Sequence, residues 1–292
     1  MKTKYVLSAV LLLATATVFA QPNAGGRRGG GASPFGNAPL QIEPVRDGIY
    51  RISSSSSGNI VVFTSDDAVL LVDSKFENEY DRYMELLRTV TDKPVKYVIN
   101  THMHPDHTGG NIRLEGLGAD IIATENARAR LAAIQQMGLP TITFDDHLRL
   151  YFGEHVMDLY WFGRGHTDGD LVIHLPEENM ILTGDLFAGG DPFVRAIDPA
   201  AGGTLKEWGP TVARVLELEF DTVIPGHSEP TDRATLQAFQ DETLRMEALI
   251  TEMLSAGRSI EDVQAALANE FNRMAFFVFG NAADVIAEFQ QR

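Results

Sequence analysis

Residues 101–110 read THMHPDHTGG, which puts His102, His104 and His107 within six positions and Asp106 beside the last of them. The whole chain has only 8 histidines. A helix would turn these side chains to different sides of its axis. A strand would set His102 and His104 on one face and then meet Pro105, which donates no ladder hydrogen bond. Gly109 and Gly110 follow and suit a tight turn. VKYVIN (95–100), just before, has the composition of a short buried strand. The stretch therefore reads as a loop that gathers ligand-type side chains where a strand ends.

Three later stretches share that property. GRGHTDGD (163–170) carries His166, LTGDLF (182–187) carries Asp185, and IPGHSEP (224–230) carries His227. Each is a glycine-containing loop at the end of an apolar run, and loops at strand ends are where α/β sheets collect functional groups. His102, His104, Asp106, His107, His166, Asp185 and His227 make seven candidate ligands, all imidazole nitrogen or carboxylate oxygen. Such donors suit zinc, and also iron or manganese. A structural zinc site closes with four ligands, so seven exceed the shell of one ion. They divide over two ions with positions left open for water. Two ions ~3.5–4 Å apart would share a hydroxide and act on both ends of a hydrolytic reaction.

The rest of the chain supplies a frame for these loops. QIEPVRDGIYRIS (41–53) and NIVVFTSDDAVLLVDSK (59–75) read as strands, with a hairpin at Asp66-Asp67. Residues 77–92 have helical spacing and stop before Pro94. DIIAT (120–124) and residues 125–138 repeat strand then helix, and 142–163 read as further strands. LVIHLP (171–176) and MILTGDLF (180–187) pair through a turn at Glu177-Glu178-Asn179. A helix is expected at 204–218, a strand at DTVIPGH (221–227), and helices at 231–256 and 259–270. Strands with intervening helices make this an α/β layered fold.

Composition narrows the function. The 292 residues are 44% hydrophobic, enough for a substantial core. The formal charge of -16 repels phosphate backbones, so nucleic acid is not an expected partner; a small-molecule substrate is. There is no cysteine, which excludes disulfides, thiolate ligands and a cysteine nucleophile. MKTKYVLSAVLLLATATVFA (1–20) has a basic start, a short apolar run, and Val18 and Ala20 before Gln21, the pattern of a secretory signal peptide. Its apolar run is short for a bilayer, so no stable membrane anchor is expected. Residues 21–39 are glycine-rich without periodicity and read as a disordered leader. The folded domain is expected over 40–292, in the periplasm or outside the cell; oligomeric state is not encoded in any pattern found.

HMHPDH matches the H-x-H-x-D-H signature of the metallo-β-lactamase fold, and the later GHT, GD and PGH stretches fall in that family's order. The resemblance runs from about residue 42 to 230. It implies a four-layer αββα sandwich with two metals at the edge of its two sheets. It further implies His102, His104 and His166 on the first metal, Asp106, His107 and His227 on the second, and Asp185 bridging them. VLLVDSK (69–75) resembles the family's early strand ending in Asp73, a carboxylate expected to bond loop amides. GRGHTDGDLVIHLPEENMILTGDLF (163–187) is similar to the β-lactamases that use a cysteine ligand. Those carry cysteine where this chain has Asp185, and often a substrate-binding lysine where it has Ala188. Asp185 instead matches the lactonases and thioesterases of the superfamily.

The function implied is an exported two-zinc hydrolase in which a metal-bridging hydroxide opens a cyclic amide or ester. A β-lactam stands first, a lactone or thioester second. Asp106 or Asp185 would handle the proton passing to the leaving group. A different class, a mononuclear iron oxygenase, would need only His102, His104, His166 and Asp185. Among other residues, His174 is expected in the core, and His147 and His155 on the surface. Trp161, Phe162 and Phe187 line either a pocket or the core, and Phe276, Phe277 and Phe279 either cover the site or seal the last helices. SSSSSG (53–58) stands where related enzymes carry a mobile covering loop, and reads equally as a plain solvent loop.

Overall fold

Residues 69–72 read VLLV, and all four side chains are buried. Successive strand residues point to opposite faces, so an unbroken apolar strand needs cover on both. Val69 and Leu71 pack with Tyr80, Tyr83 and Leu87, whereas Leu70 and Val72 pack with Leu159, Ile173 and Leu182. The same division holds along Ile60–Phe63, whose residues alternate between these two clusters. The structure, a computed structural model, describes residues 35–271 and 276–290. The expected signal peptide and leader residues 21–34 lie outside the described residues.

Seven strands form the first sheet in chain order: β1 (Gln41–Arg46), β2 (Ile49–Ser53), β3 (Ile60–Thr64), β4 (Val69–Val72), β5 (Val95–Ile99), β6 (Asp120–Thr124) and β7 (Ile142–Phe144). β1 to β4 pair antiparallel, with the β3–β4 turn at the Asp66-Asp67 position. β4 to β7 pair parallel. Their crossovers hold α1 (Tyr80–Leu87), α2 (Pro105–Thr108), α3 (Asn111–Glu115) and α4 (Glu125–Ala133). The later strands are β8 (His147–Phe152), β9 (His155–Tyr160), β10 (Val172–Leu175), β11 (Met180–Gly184), β12 (Ala196–Ile197), β13 (Thr222–Pro225), β14 (Thr231–Asp232) and β15 (Phe277–Val278). β12 and β15 form a small parallel pair. The others make the second sheet, in the order β14-β13-β11-β10-β9-β8.

The first sheet faces the second through Phe63, Leu70, Val72, Leu159, Ile173 and Leu182. On the outer face of the second sheet, Val172, Ile181 and Val223 meet Trp208, Val212, Phe239 and Ile250. These last residues come from α5 (Leu205–Val215) and α6 (Arg233–Ser255), joined by α7 (Ile260–Glu270) and α8 (Ala282–Ala287). The layers are helix, sheet, sheet, helix: the αββα sandwich expected from the sequence.

Several boundaries differ from expectation. The helix expected over 77–92 is a 3₁₀ turn at 77–79 and then α1. It stops where Thr89, Val90 and Thr91 begin, because β-branched residues are stiff in a helix. Thr89 Oγ1 also donates to the Leu86 carbonyl at 2.7 Å. α4 ends at Ala133. Gln135 then turns the chain with a φ of 58°, the left-handed conformation common after a helix end. Thr231 and Asp232 belong to β14. The Asp232 side chain caps α6 by accepting from Thr235 N at 2.8 Å, which satisfies an otherwise open helical donor. β15 and α8 are short elements the periodicity did not show. Residues 35–39 of the expected leader lie against the domain: Asn78 donates to the Phe35 carbonyl at 3.0 Å and Arg82 to the Ala38 carbonyl at 2.8 Å.

Candidate metal centre

The seven residues converge at one end of the sheets. His102 and His104 lie between β5 and α2, Asp106 and His107 on α2 itself, where Pro105 starts the helix. His166 sits between β9 and β10, Asp185 directly after β11, and His227 after β13. They form two sets. In the first, His104 Nδ1 lies 3.1 Å from His102 Nε2 and 2.7 Å from His166 Nε2. In the second, His227 Nε2 lies 3.3 Å from both His107 Nε2 and Asp106 Oδ2. Asp185 stands between them, its Oδ2 3.2 Å from His227 Nε2 and 3.7 Å from His166 Nε2.

The outer nitrogens of the histidines fix which inner nitrogens carry lone pairs. His107 Nδ1 donates to Asp73 Oδ2 at 2.8 Å, His104 Nε2 donates to Asp198 Oδ2 at 2.8 Å, and His166 Nδ1 donates to the Ala196 carbonyl. Thr101 Oγ1 donates to Asp73 Oδ2 at 2.8 Å, so at 3.0 Å it accepts from His102 Nδ1. In its neutral form each of the four rings therefore holds its proton outward and turns a bare nitrogen inward. Bare lone pairs a hydrogen bond's length apart repel unless a cation lies among them. Asp185 Oδ1 is buried and makes no hydrogen bond among the described residues. An orphaned carboxylate oxygen in that position and four inward lone pairs fit the donor set of a divalent ion.

The electrostatics agree. Burial, with neighbouring histidines, pulls His102 well below the ordinary imidazole range, and burial pulls His166 down to about 4. Both stay neutral and ready to ligate. At His107 burial opposes charge, but Asp106, Asp185 and Asp73 outweigh it and push the ring up to about 10. Burial also opposes the Asp185 carboxylate, yet His227 and His107 hold it well below its usual range. The carboxylates that favour positive charge on the His107 ring would equally favour a cation beside it.

Asp73 does bond a loop amide, Thr101 N at 2.8 Å, as expected, but it also orients His107. Asp198 was not legible. Its other oxygen accepts from Ala200 N at 3.0 Å, so in sequence it looks like any cap before proline. SSSSSG is no covering loop at its second half. Lys75, wholly buried and pushed down to about 8 by burial, donates to Ser57 Oγ at 3.2 Å and to the Gly58 carbonyl. Asn59 Nδ2 donates to the Pro225 and Ser228 carbonyls, both at 2.9 Å. A Cβ on Gly58 would overlap the His107 ring, so this segment is the floor of the site. At Gly226 a Cβ would collide with Asp185 Oδ1, which only glycine avoids.

Other expected roles resolve as follows. His174 is buried and bonded to the Glu219 carbonyl at 2.9 Å, a core histidine. His147 is exposed and pairs with Asp158 at 2.9 Å. His155, expected on the surface, is largely covered instead, paired with Glu178 and set edge-on to Phe63 at 5.3 Å. Phe187 belongs to the core, Phe162 packs against it, and Trp161 Nε1 donates to the Asp168 carbonyl at 2.9 Å. Phe276 packs on the α5–α6 core, whereas Phe279 stands beside His104 with ring centres 5.5 Å apart.

Comparison with known proteins agrees with this geometry. The family model of the metallo-beta-lactamase superfamily matches residues 55–227. The metallo-beta-lactamase type 2 of Bacillus cereus is 27% identical over 190 residues, covering 64% of this chain and 73% of that protein. That of Elizabethkingia meningoseptica is 22% identical over 219 residues, covering 71% and 87%. Among solved structures, a metallo-beta-lactamase from Pontibacter korlensis superposes with a TM-score of 0.65 at 19% identity, over 70% of this chain and 99% of that one. The DIM-1 metallo-beta-lactamase gives 0.63 at 21% identity, over 72% and 99%. Matched in family and fold, and with a donor set built for divalent ions, the chain belongs to the metallo-β-lactamase superfamily and is a metal-dependent hydrolase.

Proposed function

We propose that the protein is an exported two-zinc hydrolase that opens a cyclic amide or ester. The observation that carries this reading is Asp185, one carboxylate within 3.7 Å of His166 in one histidine set and 3.2 Å of His227 in the other. His102, His104 and His166 would hold the first ion, Asp106, His107 and His227 the second, with Asp185 shared. When bound, such ions supply Lewis acidity and a water made nucleophilic near neutral pH. The chain's own residues do the rest. Asp73, Asp198, Thr101 and the Ala196 carbonyl hold the histidines in their ligating tautomers. Asp106 or Asp185 would pass a proton to the leaving group.

β-Lactams stand first as substrate because the curated relatives are metallo-beta-lactamases. Lactones or thioesters stand second because Asp185 and Ala188 occupy the positions of the cysteine ligand and the substrate-binding lysine, and Ala188 is buried. The iron oxygenase reading uses only part of the set and leaves the convergence of Asp106, His107 and His227 without a purpose. Export rests on the N-terminal pattern. Protein recovered from the periplasm or medium should begin at Gln21; retention of Lys2 refutes that.

Metal analysis of the purified full chain, followed by a panel of β-lactams, acyl lactones and thioesters, tests the reading. Two zinc ions per chain are expected, with turnover of one class lost to a chelator and restored by zinc. One iron per chain, or no turnover of any class, overturns it.

A further inference from the structure

Residues 276–279 read FFVF, and on a strand alternate residues share a face. Phe276 and Val278 turn to the core of α5 and α6. Phe277 and Phe279 face outward, 40% and 43% exposed, edge to face with ring centres 5.1 Å apart. Two adjoining phenylalanines on the solvent side of a strand, where polar residues are the default, form a small apolar surface. Phe279 lies 5.5 Å from the His104 ring and 6.4 Å from the His166 ring, so this surface borders the first histidine set.

Its position is fixed by the backbone. Phe277 N donates to the Arg195 carbonyl at 3.0 Å and Phe279 N to the Ile197 carbonyl at 2.8 Å. β12, which they pair with, also provides the Ala196 carbonyl bonded to His166, and Asp198 directly after it binds His104. Arg195 is wholly buried and anchors β12 to α6 through the Phe239 carbonyl at 2.7 Å, Thr243 Oγ1 at 2.7 Å and Glu242 at 2.8 Å. The aromatic pair and the two histidines thus share one support. The pair lies beyond residues 55–227, the part matched by the family model.

We propose that Phe279, backed by Phe277, is a specificity-determining wall that selects substrates with an apolar group, aliphatic or aromatic, on the carbon next to the scissile carbonyl. A carbonyl presented to the first histidine set could direct a group on its neighbouring carbon toward these rings, where an apolar group would cover exposed aromatic surface. The proposal rests on the hydrolase reading, and its test is independent of turnover. Two small thiols of similar basicity, benzyl mercaptan and 2-mercaptoethanol, would be titrated calorimetrically into the zinc-loaded full chain and into Phe279→Ala and Phe279→Leu. The wild type should favour the benzyl thiol. Phe279→Ala should lower that preference about tenfold with both zinc ions retained, and Phe279→Leu should keep most of it. No preference in the wild type, an unchanged ratio in Phe279→Ala, or loss of zinc from Phe279→Ala overturns the proposal, the last by showing that Phe279 acts on His104 and not on ligand. Failure of the hydrolase reading would show separately, as absent turnover with the thiol preference intact.

Discussion

Asp73→Asn is the perturbation that separates charge from shape in the candidate centre. Asp73 is buried and accepts three hydrogen bonds: Thr101 N on Oδ1, and Thr101 Oγ1 and His107 Nδ1 on Oδ2, each at 2.8 Å. Its φ is 66°. That lies in the left-handed region, which asparagine tolerates, so the backbone need not change. Asparagine offers one carbonyl oxygen and one NH2. If the oxygen stays with Thr101 N, the NH2 faces His107 Nδ1, and the ring must move its proton inward to Nε2, the atom facing Asp106 and His227. If the amide flips, the NH2 faces the Thr101 amide and a donor is left unpaired. Either arrangement leaves a mismatch worth about 1–3 kcal/mol. Taken as stability, for a domain of this size, that is a fall in Tm of about 2–10 °C. Taken as metal affinity, an orienting partner of a ligating histidine is worth about 10–100-fold. The loss should fall first on the ion held by His107, since His104 and His166 keep their own partners and His102 is reached only through Thr101 Oγ1. Zinc titration of the metal-free protein against a chromophoric chelator resolves the two affinities. A variant that binds both ions with unchanged affinity would refute the role given to Asp73.

The other perturbations probe separate parts of the molecule. Asp185→Asn keeps size but removes the shared charge, and should weaken the second ion about tenfold or more, and more than the first, with turnover depressed; competition titration beside steady-state kinetics checks this. Asp185→Cys with Ala188→Lys should move the kcat/KM ratio toward β-lactams and away from lactones, because lysine gives a substrate carboxylate a partner; an unchanged ratio with two zinc ions bound would sink the idea. Glu247 is half-buried, accepts from Gly209 N at 3.0 Å, and is pushed up to about 7 by burial. Its neutral form is therefore the one the fold prefers. Below its unfolded value both states are protonated and nothing is lost; as pH rises toward 7 the unfolded chain releases its proton first and stability falls. Glu247→Gln should melt about 2–4 °C higher than wild type at pH 8, after discounting for solvent screening, and no differently at pH 4; equal melting at pH 8 would contradict it.

What the sequence determined by itself is local. Buried strands declare themselves as apolar runs, as in VLLV, because both faces must be covered, and ligand loops declare themselves because imidazoles and glycines crowd where a strand stops. His102, His104, Asp106 and His107 are close in space largely because they are close in the chain. His166, Asp185 and His227 could be matched to them by order and chemistry. Tertiary structure decided what depends on distant pairings. Asp198 reads as a turn cap until β12 carries it to His104, 94 residues away. SSSSSG reads as a free loop until Lys75 and the Pro225–Ser228 carbonyls draw its end beneath His107. FFVF shows no helical period and is too short to declare a strand. Which of its rings meet the core and which meet the histidines is set by pairing with β12, a strand that precedes α5, α6 and α7 in the chain. A hydrogen bond between distant backbones leaves no mark on either sequence, because every residue but proline carries the same donor and acceptor.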